Sequence, residues 1–337
     1  MISVVFPGQG SQKVGMGADL YNNFDYIKFN TIQNRILNQN IENNHKQMKF
    51  KFTTIYQNIN MKKVSQLDEY LFDLNGYLII ENALSKKELK DLNNILDKLK
   101  SLKHKEWAGY VHGHNYGGKE GLNLQQIYEA GKPFEKLIDH PSWINHMLHF
   151  VGGKGTFDHL HGPLFIDENF ANIRGPGEAI GIHSGNPEGL QRNHYRYQNG
   201  KFHCSQVNIL LALTNIGPGD GGTVIIPSSH KSNIVHPEFK DNKMLKGGKV
   251  SSAEGMTGAK EVYMKAGDAL LFVDSLCHGS AKRINKGERR IVVYRYGPSW
   301  GFFRHPYRPS EDLLSRLSKF QQKIVMPHQN VLTPNNK

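Results

Sequence analysis

Between Leu164 and Tyr296 the chain is broken into short apolar runs, at 164–166, 178–183, 206–214, 222–226, 262–264, 269–273 and 290–296, with Gly, Pro and Asn between them. Runs of that length bounded by turn formers read as strands, because a helix needs a longer periodic stretch and rarely accepts Gly or Pro inside it. Short strands cannot bury their apolar faces singly, so many of them imply two stacked sheets. Helical patterns flank this part, most of them before residue 155. The predicted architecture is mainly β with flanking helices, a double-stranded β-helix or jelly roll. No internal repeat and no glycine-rich nucleotide loop supports a dinucleotide-binding alternative.

The helical front is read from caps and spacing. Residues 67–72 form a short helical stretch, and an Asn75-Gly76 turn leads into an apolar strand at 76–81. Ser85-Lys-Lys-Glu88 is a capping box, in which the serine hydroxyl and the glutamate carboxylate satisfy each other's backbone N–H groups. It opens a helix whose Leu89, Leu92, Ile95, Leu96 and Leu99 share one face. Further helices are predicted at 122–129 and 134–150, the latter with Pro141 near a helix start.

The first sixty residues have a different texture. Residues 1–24 resemble the extreme N-terminus of malonyl-CoA:acyl carrier protein transacylases, and the resemblance places Gln9 at that family's oxyanion-hole glutamine. The nucleophile elbow such an enzyme needs is missing downstream. Residues 25–60 are rich in Asn and Gln and too poor in apolar residues for a core. The expected organisation is an acyltransferase-like fragment plus linker at 1–60, not an independent domain. A jelly-roll domain follows at 61–310, then a C-terminal helix or tail at 311–337.

A formal charge of +12 and a pI near 9.4 invite a nucleic-acid reading. The lysines and arginines are dispersed, however, with no dense basic run, so the expectation is a solvated surface and no nucleic-acid partner. Cys204 and Cys277 have no CxxC spacing, which argues against a disulfide framework or a zinc site. No stretch approaches a membrane span, so no membrane association and a cytoplasmic setting are expected.

The chemistry concentrates near the C-terminal end, in Gly267-Asp-Ala-Leu-Leu-Phe-Val-Asp-Ser-Leu-Cys-His-Gly-Ser280. A buried strand at 269–273 delivers His278 into a turn, and Arg289 precedes a returning strand. A neutral imidazole offers a lone pair to a metal, while a guanidinium grips a carboxylate in two-point fashion. Two partners lie upstream: Gly181-Ile-His183-Ser-Gly185, and the loop from Gly217 to Lys231 that ends Ile-Ile-Pro-Ser-Ser-His230-Lys231.

Together, in that order, these elements resemble the phytanoyl-CoA dioxygenase family of iron(II)/2-oxoglutarate oxygenases, over roughly residues 64–300. The resemblance implies iron held by His183 and His278, and 2-oxoglutarate held by Arg289 with help from the Ser280 hydroxyl. His230 falls where the family's histidine is structural. Gln206 and Asn208, two apart on a predicted strand, share a face; they either reach the cosubstrate or substrate or form a satisfied polar pair at the barrel mouth. In the family's arrangement two imidazoles and a carboxylate on one face of the iron leave three positions open, which the cosubstrate and O₂ fill.

One position departs from the family. The acidic ligand expected two residues after the first histidine is Gly185 here, which has no side chain to offer. Water or a displaced carboxylate such as Glu188 could fill the place, or chloride could, as in the related halogenases. The site could also be degenerate, or His159 or His161 with Asp158 or Asp167 could be the true pair. The implied activity is hydroxylation of a small organic substrate using O₂, with a halogenase or a non-catalytic ligand-binding jelly roll as alternatives. His112 and His114 are read as surface or substrate-side residues, and Arg192, His194, Tyr195 and Arg196 as a solvated loop.

Overall fold

Ser65 and Ser85 each start a helix by accepting the backbone N–H three residues on, while Asp68 and Glu88 return the bond. The first helix, α1 (Gln66–Asn75), ends at Gly76, whose φ of 80° closes the turn into β1 (Tyr77–Ile80). The second, α2 (Lys86–Leu99), buries Leu92 and Leu96 completely. These elements come from a computed structural model, which describes residues 64–115, 121–151, 161–177, 179–184, 193–238, 255–301 and 307–327. They all belong to one compact unit, Met61–Lys337.

The strands that follow are β2 (Trp107–Ala108), β3 (Val111–His114), β4 (Leu122–Gln125), β5 (Phe165–Arg174), β6 (Ile180–His183), β7 (Tyr195–Gln198), β8 (Lys201–Cys204) and β9 (Val207–Ala212). The last five are β10 (Thr223–Ile225), β11 (Lys260–Val262), β12 (Ala269–Val273), β13 (His278–Ser280) and β14 (Arg289–Gly297). Eight form one sheet in the order β1-β12-β9-β14-β5-β4-β3-β2, and four form a second in the order β11-β10-β13-β6. Side chains of both sheets line a shared cavity. This is the expected mainly-β jelly roll with flanking helices.

Strand β14 sets the division between chemistry and core. Its odd-numbered residues from Arg289 to Arg295 line the cavity. Tyr294 and Tyr296 lie on its other side and donate their hydroxyls to the carbonyls of Phe134 and Leu137. The alternation is the two-residue period of a strand, with a bulge between Arg295 and Tyr296. The tyrosines thereby fasten α3 (Lys132–Glu135) and the turn after it to the sheet. Under α4 (Ile144–Phe150), Phe150 stacks on Phe72 at 3.8 Å, and Phe202 meets Phe150 edge-on at 4.9 Å. Each such fully buried ring contributes roughly 1.5–3 kcal/mol. Two C-terminal helices, α5 (Glu311–Arg316) and α6 (Lys319–Val325), are tied back by Arg316 to Glu135 at 2.8 Å and by Gln321 to Asp139 at 2.8 Å.

Several local expectations fail for physical reasons. The helix predicted at 122–129 is β4 followed by a short 3-10 turn, Ile127–Ala130. Pairing with β5 wins, because it buries Leu124 and aligns Asn123 with Asn172. The helix at 134–150 is two short ones, interrupted around Pro141. The strand predicted at 164–166 runs on to Arg174; its buried Asp167, Glu168, Asn169, Asn172 and Arg174 disguise it as a polar stretch. His278 lies not in a turn but in β13, between β6 and β10. Among the described residues, no helix is long and apolar enough to cross a membrane. Residues 1–63, and with them the expectations for that segment, lie outside the described residues.

Candidate active site

Antiparallel pairing of β13 with β6 puts His278 directly opposite His183, and their ring centroids are 4.1 Å apart. That approach needs the two backbones close together. Gly279 permits it: a Cβ there would meet Ile180 O at 2.7 Å. Each imidazole is oriented the same way. His183 Nδ1 bonds Gly181 O at 3.0 Å, and His278 Nδ1 bonds Leu276 O at 2.6 Å. A carbonyl only accepts, so both Nδ1 atoms carry a proton, and in a neutral ring so held the lone pair is on Nε2. This is the tautomer a metal ligand needs, fixed by the second bond of each ring. Burial first, then the neighbouring His183, holds His278 well below the usual histidine range, so it stays neutral.

The cavity measures about 370 Å³ and runs from the histidine pair to Arg289. Phe170, Leu210, Phe272 and Val293 give it apolar walls. Arg289, also in its lining, is only 2% exposed. Its guanidinium donates to Gly221 O and, at 3.2 Å, to Asn172 Oδ1, whereas its buried Nε–H has no acceptor. Asn172 in turn donates to Asn123 Oδ1 at 3.2 Å. Burial, together with the Arg174 and Arg283 guanidiniums, pushes the Arg289 pKa down to about 9, with Glu261 opposing. The group is still a cation at neutral pH. A buried cation whose hydrogen bonds go to neutral oxygens, with one donor unanswered, is poised for an anion.

Residues 72–291 match the Phytanoyl-CoA dioxygenase (PhyH) family. The chain belongs to the phytanoyl-CoA dioxygenase family. That family is one of iron(II)/2-oxoglutarate oxygenases. This family member is 31% identical to dioxygenase cdmD of Talaromyces verruculosus over 91 residues, 27% of this chain and 24% of that protein. The aligned part is thus about a quarter of that relative's length. Dioxygenase andF of Emericella variicolor is 21% identical over 264 residues, 74% of this chain and 80% of that protein. Among solved structures, HygX from Streptomyces hygroscopicus with nickel and 2-oxoglutarate bound superposes with a TM-score of 0.58 at 22% identity, covering 74% of this chain and 94% of that one. At that identity the likeness establishes the fold.

In this phytanoyl-CoA dioxygenase family member, His183, His278, Ser280 and Arg289 line one cavity. Gln206 and Asn208 are not among its described lining. Gln206 donates to Asp167 at 3.2 Å and Asn208 to Asp274 at 3.0 Å, in a buried polar group that also holds Arg295 against Glu168 and Asp274. His230 packs against α1, bonding Asp73 O at 3.1 Å, outside that lining. His112 and His114 face the same way as Asn123 and Gln125, and His112 bonds the Tyr307 hydroxyl at 2.8 Å. Gly185, Glu188, His159, Asp158 and Arg192 lie outside the described residues. Among the described residues no three His, Cys, Asp or Glu side chains converge as a metal site. Arg174, Asn172 and Asn123 are not evident in the sequence: the first two are polar residues that look like loop, and Asn123 falls in a stretch that reads as helix, until the sheet register is known.

Proposed function

We propose that the protein hydroxylates a small organic substrate, with iron(II) held by His183 and His278 and 2-oxoglutarate held by Arg289 and Ser280. The observation that carries this reading is the placing of two Nδ1-anchored imidazoles and one buried, anion-ready guanidinium in a single cavity. Names of relatives as dioxygenases support it, as does the 2-oxoglutarate in HygX. When bound, iron supplies the O₂ chemistry that couples 2-oxoglutarate decarboxylation to C–H oxidation.

The chain's own groups prepare that chemistry. Carbonyls of Gly181 and Leu276 hold the imidazole protons on Nδ1 and keep the rings from turning. Arg289 receives the distal carboxylate, steadied by Asn172 and through it Asn123. The carboxylate answers the Nε–H that otherwise lacks an acceptor. Phe170, Leu210 and Phe272 exclude water from the space between. The glycine at 185 leaves the third protein ligand position to water, to a shifted carboxylate such as Glu188, or to chloride. Two buried free thiols, Cys204 and Cys277, suit a reducing, cytoplasmic setting.

The test is succinate formation from 2-oxoglutarate after anaerobic loading with iron(II) and exposure to air. Wild-type protein is expected to form succinate, and His278→Ala to lose it by at least about a hundredfold. No succinate from well-loaded wild type favours a ligand-binding jelly roll instead. With chloride present, a chlorinated product that disappears in Gly185→Asp identifies a halogenase.

A further inference from the structure

Ser280 lines the cavity together with His278 and Arg289, and its oxygen is approached by two N–H donors. Arg174 Nη1 donates to Ser280 Oγ at 2.8 Å, and the Ile180 N–H donates to it at 3.1 Å. A hydroxyl has two lone pairs and one proton. With both lone pairs engaged by N–H donors, the hydroxyl has only its proton left to offer. Serine ordinarily rotates between donating and accepting; here the rotor is set.

Arg174 is built into this role. It is 1% exposed, lies directly across from Arg289 in the β5–β14 pairing, and is not among the described cavity lining. Its other terminal nitrogen donates to Ala281 O at 3.3 Å, so one guanidinium spans the Ser280 side chain and the next carbonyl. A glycine makes room for the strand that carries it. At Gly121, with φ 83°, a Cβ would meet Ile173 O at 2.3 Å and Arg174 Cα at 2.9 Å.

We propose that Arg174 is a positioning residue that makes Ser280 an obligate donor to the distal carboxylate, so that recognition of a dicarboxylic 2-oxo acid requires Arg174 acting through Ser280 as well as Arg289. The inference rests on the assignment of Arg289 and Ser280 to 2-oxoglutarate. It adds a second guanidinium that never touches the ligand. A ligand ending in a neutral group, such as 2-oxohexanoate, gains nothing from an oriented O–H and is indifferent to Arg174.

The experiment measures binding of 2-oxoglutarate to the full chain loaded with nickel(II), anaerobically and by calorimetry, for wild type, Ser280→Ala, Arg174→Met and the double variant. Losing one hydrogen bond to a charged group weakens binding by roughly tenfold or more. The expected result is a similar loss in each single variant and a double variant no weaker than the worse single, because one path has been cut twice. A double variant weakened by the product of the two single losses overturns the proposal, since Arg174 then acts independently of Ser280. Arg174→Lys retains the charge but not the planar fork that bonds Ser280 and Ala281 together. If Arg174→Met does not fold, the same cycle is run with Lys, and additivity there overturns the proposal equally. Wild type that takes up no 2-oxoglutarate sinks the site assignment itself. Wild type that binds it, with an additive cycle, sinks only the role of Arg174.

Discussion

Arg289 is the residue whose surroundings say most about chemistry. A guanidinium held at 2% exposure ordinarily has a carboxylate to bond, yet this one bonds a backbone carbonyl and an amide oxygen. A lysine could carry the charge but not the fork that engages both carboxylate oxygens and Asn172 together. Arg289→Lys is therefore expected to raise KM for 2-oxoglutarate roughly 30-fold or more, the range for truncating one side of a buried charged pair. Arg289→Met should be worse, with circular dichroism unchanged. A KM within twofold of wild type for Arg289→Lys contradicts the assignment. His183, His278, Ser280 and Arg289 were legible in the sequence because a short motif carries each. Arg174 was not: its bond to Ser280 joins residues 106 apart, and nothing near residue 174 announces a partner.

At the scale of an element, β13 is three residues long and does more than its length suggests. Pairing with β6 on one side aligns the histidines, and pairing with β10 on the other fixes its height in the sheet. Gly279 is the close-approach point, with Ile180 O and Gly181 C 2.7 and 3.1 Å from where a Cβ would stand. Gly279→Ala is expected to push β13 off β6, costing about 1–3 kcal/mol of stability. It should also weaken divalent-metal binding, because the two rings are no longer held opposite each other. Thermal melts and a metal titration of the apoprotein test the two effects separately; unaltered metal affinity would remove Gly279 from the account. The neighbouring β5 shows why elements are harder to read than motifs. Ten buried residues that include two carboxylates and an arginine do not alternate in hydropathy, since the polar ones face a cavity or one another rather than water.

For the whole molecule, the clearest pH effect comes from His230, wedged between α1 and the loop after β10. Burial pushes its pKa down to about 4; the Asp73 carbonyl bonds the ring and Tyr195 meets it edge-on at 4.5 Å, while Lys231 adds repulsion. In the unfolded chain the same imidazole titrates near 6.5. Below that pH the unfolded state takes up a proton that the folded state refuses until about pH 4, so stability is lost as pH falls through this window. The loss approaches about 3 kcal/mol for a shift of this size. Urea midpoints at pH 7 and pH 4.5 should therefore diverge more in wild type than in His230→Gln; equal divergence speaks against His230. Sequence alone pointed to the jelly-roll class, to the family and to the two histidines that the fold brings together, because turn residues, strand-length runs and a spaced motif are local properties that survive in one dimension. Only the tertiary structure decided that β4 is a strand, that Gln206 and Asn208 serve a different polar group, and that Arg174 backs Ser280. Those outcomes depend on cross-strand register, and register is set by which distant backbones satisfy each other's hydrogen bonds.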